Sequence, residues 1–352
     1  MSAENLQAAG TEGTYGQFQL EVLTNWLREQ GIIEGHKLTC QPLTGGQSNP
    51  TFLLTNGSQQ LVLRKKPPGV LLASAHAVDR EYRVMQALQH SNVPVPKLYA
   101  FSDDLNIVGT PFYIMEFLNG RVMVDQSLPG MSRLERGAIN EEMNRVIAAL
   151  HQVNPVEVGL DTFGKPGNYF QRQIARWSRQ YLESNTENIE SLHALIQWLP
   201  ENIPEGDQTS VVHGDYRLDN LVFHPTEPRA IGLLDWELAT LGHPMADFAY
   251  HCMSWHIPAT LWRGIGGLDL AALGIPEESD YVKRYTAATG FAGVEHWDFY
   301  IAYNLFRMAA ILQGIARRAA DGTASAPDAK ETGKKARPLA DIGWKYAQRY
   351  AR

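Results

Sequence analysis

The chain has 352 residues, of which 44% are hydrophobic and 20% are charged, and its formal net charge is −7 at pH 7. This length exceeds what one simple core usually serves, so it predicts two domains or lobes. The acidic balance argues against a nucleic-acid partner, which needs a basic face, and no apolar run approaches the ~20 residues that span a bilayer, which argues against a membrane partner.

The first residues and the two cysteines indicate a cytoplasmic protein. The N-terminus lacks the basic and apolar segments of a secretory signal, so residues 1–16 are expected to form a disordered lead. Cys40 and Cys252 lie far apart in apolar surroundings, which is typical of buried, reduced thiols. The sequence leaves the oligomeric state open between monomer and homodimer.

The first third of the chain is rich in strand patterns. A helix is predicted at residues 17–30, strands within residues 38–54 and 59–66 around an Asn56-Gly57 turn, a helix at residues 75–89, and strands at residues 93–101 and 111–118. These segments predict a small N-terminal lobe with an antiparallel sheet, covering residues 1–117.

Residues 118–352 are predicted to form a larger, mainly helical lobe. Helices are expected at residues 133–153, 169–183, 187–199, 247–255, 281–289, 296–320 and 339–351, with a flexible polar loop at 321–335. The predicted fold class is therefore α+β, with two lobes.

The stretch from residue 210 to residue 250 carries the clearest chemical pattern. Asp215 and Asn220 belong to an H-x-D-x-x-x-x-N motif that begins at His213, and Asp235 ends the apolar run AIGLLD. In phosphoryl transfer one carboxylate accepts a hydroxyl proton, while an amide oxygen and a second carboxylate hold Mg²⁺. Each residue taken alone is better explained as a turn former. The ordered set predicts Asp215 as the base and Asn220 and Asp235 as metal ligands, with His213 as a structural brace.

A glycine-containing turn between the first strands is a candidate phosphate site. Gly45 and Gly46 would let the backbone approach phosphates, and Ser48 and Asn49 can donate hydrogen bonds. The turn lacks G-x-G-x-x-G spacing, and two glycines also simply close a hairpin. ATP binding by this lobe is the functional prediction.

A cation on the following strand is expected to reach the phosphates, held by an acid on the next helix. Arg64 shares a face with Val62 by strand alternation, and Glu81 lies on that helix. Lys65 and Lys66 compete for the same role. A basic, solvated strand end is the alternative explanation.

Three arginines repeat at helical spacing in residues 169–183, namely Arg172, Arg176 and Arg179. Such a stripe suits an anionic acceptor, such as a CoA phosphate, and repels a polycation. The alternative is a solvated face paired with nearby acids. These arginines are therefore predicted to bind the substrate, a small molecule with a hydroxyl group.

The segments VVHGDYRLDN, LLDWE, REYRVMQAL and PFYIMEF resemble the aminoglycoside phosphotransferase family, which has a protein-kinase-like fold. The segments TGGQSNPTFLL, LRKKPPG and AAILQGIARRA look more specifically like the kinase-like domain of certain acyl-CoA dehydrogenase proteins. The resemblance implies ATP and Mg²⁺ as cofactors and phosphorylation of a hydroxyacyl-CoA. An aminoglycoside or amino alcohol as acceptor, and a regulatory nucleotide-binding module without turnover, are the alternatives.

The resemblance also implies roles for individual residues. Asp215 would be the base, Asn220 and Asp235 the metal ligands, and Glu81 the helix acid. The adenine pocket would be lined by Met115, Glu116 and Phe117. Two positions depart from the family pattern: Arg64 stands where many kinases have lysine, and His243 stands in LGHPMAD where relatives usually show Gly-Asp-Pro.

Overall fold

A computed structural model describes residues 18–43, 49–68, 77–324 and 327–350. The predicted disordered lead at residues 1–16 lies outside the described residues. So do three of the predicted phosphate-binding residues, Gly45, Gly46 and Ser48.

The α-helices have the bounds α1 Leu20–Glu29, α2 Val78–Leu88, α3 Leu105–Val108, α4 Arg133–His151, α5 Tyr169–Ser184, α6 Glu190–Glu201, α7 Pro244–Cys252, α8 Leu270–Leu273, α9 Glu278–Thr289, α10 Trp297–Ala320, α11 Ala329–Gly333 and α12 Ala336–Tyr350. The strands are β1 Thr39–Pro42, β2 Thr51–Asn56, β3 Gln59–Lys65, β4 Leu98–Ser102, β5 Phe112–Glu116, β6 Arg121–Val122, β7 Ser210–Val212, β8 Leu221–Phe223, β9 Ala230–Leu233 and β10 Thr240–Gly242. No helix among the described residues is long and apolar enough to cross a membrane.

The chain divides into two compact units. Unit 1 comprises residues 1–124 and 218–239, and unit 2 comprises residues 125–217 and 240–352. The predicted division between residues 117 and 118 uses a single boundary, whereas residues 218–239 return to unit 1. They do so because β8 pairs with β6 and β9 pairs with β8.

Unit 1 contains an antiparallel sheet in the order β1-β2-β3-β5-β4. The turn between β2 and β3 falls at Asn56-Gly57 as predicted, and Gly57 has a φ of 60°, which glycine adopts without steric cost. One face of the sheet packs against α1 in an apolar core that includes Leu23, Leu27 and Leu63.

The opposite face of this sheet carries polar side chains toward α2. Strand alternation puts Leu61, Leu63 and Lys65 on the α1 face, and Val62 and Arg64 on the other. Lys65 is buried on the α1 side, where its ammonium donates to the Val108 carbonyl and lies 5.0 Å from the ring centroid of Phe18. Burial lowers the pKa of Lys65.

Unit 2 is mainly helical and is built around α10. This helix packs against α5, α7, α11 and α12, and its inner face is continuously buried. Strands β7 and β10 form an antiparallel pair. This pair holds together the chain segments that lie immediately before and after residues 213–239.

Two local predictions in unit 2 were wrong. The helix expected to begin at Asp247 begins at Pro244, because the imidazole Nδ1 of His243 caps it by accepting from the Met245 amide (3.2 Å). The predicted polar loop at 321–335 contains α11, whose Ala329 and Gly333 are buried, and a side chain on Gly333 would collide with Ala316 on α10 (2.6 Å).

Candidate active site

In unit 1, Arg64 lies between two carboxylates. Its Nε is 2.8 Å from Glu81 Oε2, and its Nη2 is 3.0 Å from Asp235 Oδ1. The planar, forked guanidinium can serve two carboxylates at once, which a lysine ammonium does less well. The predicted pairing of a strand cation with Glu81 is therefore present in the structure, and the cation is Arg64 rather than Lys65.

Glu81 is almost fully buried and accepts further hydrogen bonds. Asn49 Nδ2 donates to Oε1 (2.6 Å) and the Tyr113 hydroxyl donates to Oε2 (2.9 Å). Burial raises the pKa of Glu81, although Arg64 and these donors oppose the rise. Burial by itself would lower the pKa of Arg64. The carboxylates of Glu81 and Asp235 outweigh the effect of burial and raise the pKa of Arg64 above its ordinary value. The hydrogen bond from Asn49 thus helps to hold the Glu81 carboxylate in place.

A cavity of about 200 Å³ lies beside Arg64 within unit 1. Its lining contains every predicted residue of the adenine pocket together with Arg64 and Asp235: Val62, Arg64, Met85, Met115, Glu116, Phe117, Leu234 and Asp235. The Glu116 amide donates to the Lys97 carbonyl (2.8 Å), which fixes the end of β5 at the cavity. An apolar slot with a cation and a carboxylate on its wall can accept a flat base attached to phosphates.

Asn220 and Asp235 lie at the same end of the β8–β9 hairpin. Leu221 pairs with Leu233, and the Leu234 amide donates to the Asn220 carbonyl (2.8 Å). Asp235 has a φ of 67°, a left-handed conformation that costs energy for residues other than glycine and is often retained at functional sites. An amide oxygen and a carboxylate suit Mg²⁺, which keeps water or phosphate as its remaining ligands.

In unit 2, Asp215 sits in a loop whose backbone is held by Asp247. Asp247 Oδ2 accepts from the His213 amide (2.7 Å) and Oδ1 accepts from the Gly214 amide (2.9 Å). His151 Nε2 lies 3.1 Å from Asp247 Oδ2, and its Nδ1 bonds the Tyr285 hydroxyl. Burial alone would raise the pKa of Asp247, but the hydrogen bonds from His151 and His213 hold that pKa below its ordinary value.

Two side chains contact the same oxygen of the Asp215 carboxylate. The Tyr250 hydroxyl donates to Oδ1, and Arg217 Nε lies 3.1 Å from the same oxygen. The hydroxyl of Tyr250 stays protonated, because burial and the nearby Asp215 carboxylate raise the pKa of Tyr250 well above its ordinary value. His213 helps to hold the loop, because its Nδ1 accepts a hydrogen bond from the Asp215 amide (3.2 Å).

Arg307 on α10 is a buried cation beneath this loop. Its Nη2 donates to the Gly214 carbonyl (2.6 Å), and its guanidinium lies 4.9 Å from the ring of Tyr250 and 5.6 Å from that of Trp177. Burial opposes the charge of Arg307, yet neighbouring hydroxyls and Asp215 raise its pKa. Because its glycine partner needs a φ of 81°, the loop geometry depends on residue 214.

Sequence reasoning missed Tyr250, Arg307 and the bracing role of Asp247. An acid in the otherwise apolar helix segment PMADFAY was a usable signal, because a buried acid needs partners. For Tyr250 and Arg307 no local sequence pattern distinguishes them from core residues.

The three predicted acceptor arginines lie on α5. Arg172 is tied to its own preceding loop, where its guanidinium donates to the carbonyls of Gly167 and Lys165. Arg176 and Arg179 are exposed, and Arg176 also lies over the Trp177 ring (4.9 Å). Their role in substrate binding stays a prediction.

Comparison with known proteins identifies the family. Residues 39–300 match the model of the phosphotransferase enzyme family. A mouse protein, acyl-CoA dehydrogenase family member 10, is 44% identical over 86% of this chain. The chain spans only 28% of that relative, and 28% to 44% of the first curated relatives that it matches.

Solved structures agree with this result. A Ralstonia eutropha JMP134 protein that carries the aminoglycoside phosphotransferase name is 54% identical, with a TM-score of 0.88 over 95% of this chain and 99% of that one. A choline kinase from Cryptosporidium parvum Iowa II is 12% identical, with a TM-score of 0.64 over 95% of each chain, which shows the fold alone. The predicted α+β, protein-kinase-like fold is confirmed, and the chain belongs to the phosphotransferase enzyme family.

Proposed function

We propose that this phosphotransferase moves the γ-phosphoryl group of ATP to the hydroxyl group of a small metabolite in the cytoplasm, with a hydroxyacyl-CoA as the candidate acceptor. The observation that carries the ATP proposal is the cavity of unit 1. Its apolar wall includes Met115 and Phe117, and its polar wall carries Arg64 and Asp235. The relatives named for acyl-CoA dehydrogenases support the acyl-CoA part.

In this proposal the chain's own residues bind and orient the reactants. Arg64, held by Glu81, faces the phosphates, while the backbone around Glu116 faces the adenine. Asn220 and Asp235 would hold Mg²⁺, which neutralises phosphate charge when bound. Asp215 accepts the hydroxyl proton as the acceptor oxygen bonds to the γ-phosphorus, and the bond from that phosphorus to the bridging oxygen breaks to release ADP.

The test is ADP formation from Mg·ATP with a panel of hydroxyl compounds that includes CoA thioesters and amino alcohols. We expect Asp215→Asn to lower kcat by ~10²–10⁴-fold, because the substituted amide cannot take the proton. Asp280→Asn is the matched control, since Asp280 is exposed and pairs with Lys283 on the surface of α9. Unchanged turnover in Asp215→Asn would exclude Asp215 as the base, and a panel without any ADP formation would reject the proposed function.

A further inference from the structure

We propose that Arg307, on helix α10, is a positioning residue for Asp215 and that it acts through its positive charge. It contacts two neighbours of Asp215, namely the backbone of Gly214 and the side chain of Tyr250. This inference rests on the proposed function, in which Asp215 is the base. It gives the transfer step a residue that lies 93 positions beyond Gly214 in the chain.

Arg307 is a buried cation without an ion-pair partner. It is only 6% exposed, and no carboxylate within the described part of the chain forms an ion pair with its guanidinium. An arginine stays charged even in a protein interior, and a buried charge that lacks such a partner weakens the fold. Stability alone therefore does not explain an arginine at this position.

The first contact holds the peptide bond between Gly214 and Asp215. Arg307 Nη2 donates to the carbonyl of this peptide (2.6 Å), and the amide of the same peptide donates to His213 Nδ1 (3.2 Å). The amide of Gly214 itself donates to Asp247 Oδ1 (2.9 Å). A hydrogen bond from a charged donor is roughly twice as strong as one between neutral groups. Arg307 thus helps to fix the peptide plane from which Asp215 begins.

The second contact reaches the carboxylate of Asp215 through Tyr250. The Arg307 guanidinium lies 4.9 Å from the centroid of the Tyr250 ring, and the Tyr250 hydroxyl donates to Asp215 Oδ1. A cation near an aromatic face attracts the electron density of the ring. Because the ring is polarised, its hydroxyl becomes a stronger hydrogen-bond donor to the carboxylate. The charge of Arg307 thus strengthens the hydrogen bond that orients Asp215.

The planar shape of arginine also matters at this position. The guanidinium lies 5.6 Å from the centroid of the Trp177 ring as well, so one group contacts two rings and a carbonyl. Lysine would keep the charge, but its compact ammonium serves these three partners less well. Glutamine would keep an N–H donor for the Gly214 carbonyl and lose the charge. The two substitutions therefore separate the charge from the hydrogen bond.

Turnover of the full chain tests the role of the charge. The assay uses Mg·ATP and a compound of the hydroxyl panel that yields ADP. We expect Arg307→Gln to lower kcat about tenfold or more, with the KM for ATP unchanged, and Arg307→Lys to retain part of the lost kcat. Arg317→Gln is the matched control, since Arg317 lies on the same helix, is exposed and pairs with Asp321.

A double-mutant cycle with Tyr250→Phe separates positioning from a structural role. Phenylalanine keeps the ring beside Arg307 and removes the hydroxyl that contacts Asp215. We expect the loss of kcat caused by Arg307→Gln to be at least about threefold smaller in the Tyr250→Phe background than in the wild type. A purely structural arginine would cost the same factor in both backgrounds. Should Arg307→Gln fail to fold, Arg307→Lys takes its place in the cycle.

Hydrogen–deuterium exchange adds a measurement that does not depend on turnover. We expect the amides of Gly214 and Asp215 to exchange about threefold faster or more in Arg307→Gln than in the wild type, because the peptide between them loses its charged donor. In Arg317→Gln these amides should exchange at the wild-type rate.

Four results would overturn the inference: a wild-type kcat in Arg307→Gln, a kcat in Arg307→Lys no higher than in Arg307→Gln, an equal loss in both backgrounds of the cycle, or unchanged exchange in the loop. If no compound yields ADP, the proposed function fails, and the exchange rates then decide whether Arg307 holds the loop. Faster exchange upholds that role, and unchanged exchange rejects it.

Discussion

Tyr250 and Arg217 both contact Asp215 at the same oxygen, Oδ1. We therefore expect the hydroxyl of Tyr250 to help set the orientation of the Asp215 carboxylate. Because Tyr250 is itself buried against Arg307, its own position is well defined.

Tyr250→Phe tests this orientation, because it removes one hydroxyl and keeps the ring that packs on Arg307. A hydrogen bond to a charged group is worth about 1.5–3 kcal/mol, so we expect kcat to fall roughly 10-fold or more with little change in the KM for ATP. Steady-state kinetics with varied ATP and varied acceptor measure kcat and the KM for ATP separately.

Tyr300→Phe serves as the control, since Tyr300 is equally buried in unit 2 and packs with Phe170 and His243. A wild-type kcat in Tyr250→Phe would mean that the hydroxyl does not orient Asp215.

Strand alternation predicted that Arg64 shares a face of β3 with Val62, and Lys65 and Lys66 remained competitors for the cation that faces the phosphates. The structure agrees: Arg64 reaches Glu81 and Asp235, and Lys65 reaches the Val108 carbonyl on the α1 side. The sequence could not show that Arg64 bridges two carboxylates, because Asp235 comes from a hairpin 171 residues further along the chain.

Helix α7 holds the backbone of the Asp215 loop in place, a role that its position in the sequence does not indicate. Its acid, Asp247, accepts two consecutive loop amides and also contacts His151. The helix cap is supplied by His243 instead, so Asp247 is available to the loop. An acid near a helix start is usually explained as a cap, and only the tertiary structure shows where its oxygens point.

Asp247→Ala is expected to destabilise unit 2. Each buried donor left without a partner costs about 1–3 kcal/mol, and the amides of His213 and Gly214 would both lose theirs. Urea unfolding followed by fluorescence measures the loss, and transfer activity should fall with it because the Asp215 backbone loosens.

Asp298→Ala is the control for this substitution, because Asp298 is an acid near the start of α10 whose partner, Arg349, is exposed. If both variants unfold at the same urea concentration as the wild type, Asp247 does not brace the loop.

Most elements were predictable because their periodicity is strong. Helix α10 and the β2–β3 hairpin lie within a few residues of the predicted bounds. The predictions failed where composition and packing conflict: α11 is polar and short, and it is helical because Ala329 and Gly333 are buried. The contact of Tyr250 with Asp215 was not predictable either, since the two residues come from separate segments of the chain.

Two buried histidines couple the stability of the protein to pH. Burial lowers the pKa of His243 and of His251 from the usual 6.5 to about 4. Between these values the unfolded chain binds a proton at each position that the folded chain does not bind. Lowering the pH through this window therefore favours unfolding, and the stability that neutral histidines contribute is present above about pH 6.5.

His243→Asn tests this coupling at one site. Asparagine is a good helix N-cap and has no charge to gain, so the variant should keep the cap of α7 while losing the titration. When the pH is lowered from 7 to 5, the free energy of unfolding should decrease for both proteins. We expect the decrease to be about 2 kcal/mol smaller for His243→Asn than for the wild type.

Denaturant unfolding at several pH values measures that difference, with His90→Asn as a control because His90 is exposed. The remaining pH dependence of His243→Asn should come in part from His251, whose ring is also buried and bonds the Tyr281 hydroxyl (2.8 Å). Parallel pH profiles for His243→Asn and the wild type would show that His243 does not stay neutral in the folded protein down to pH 5.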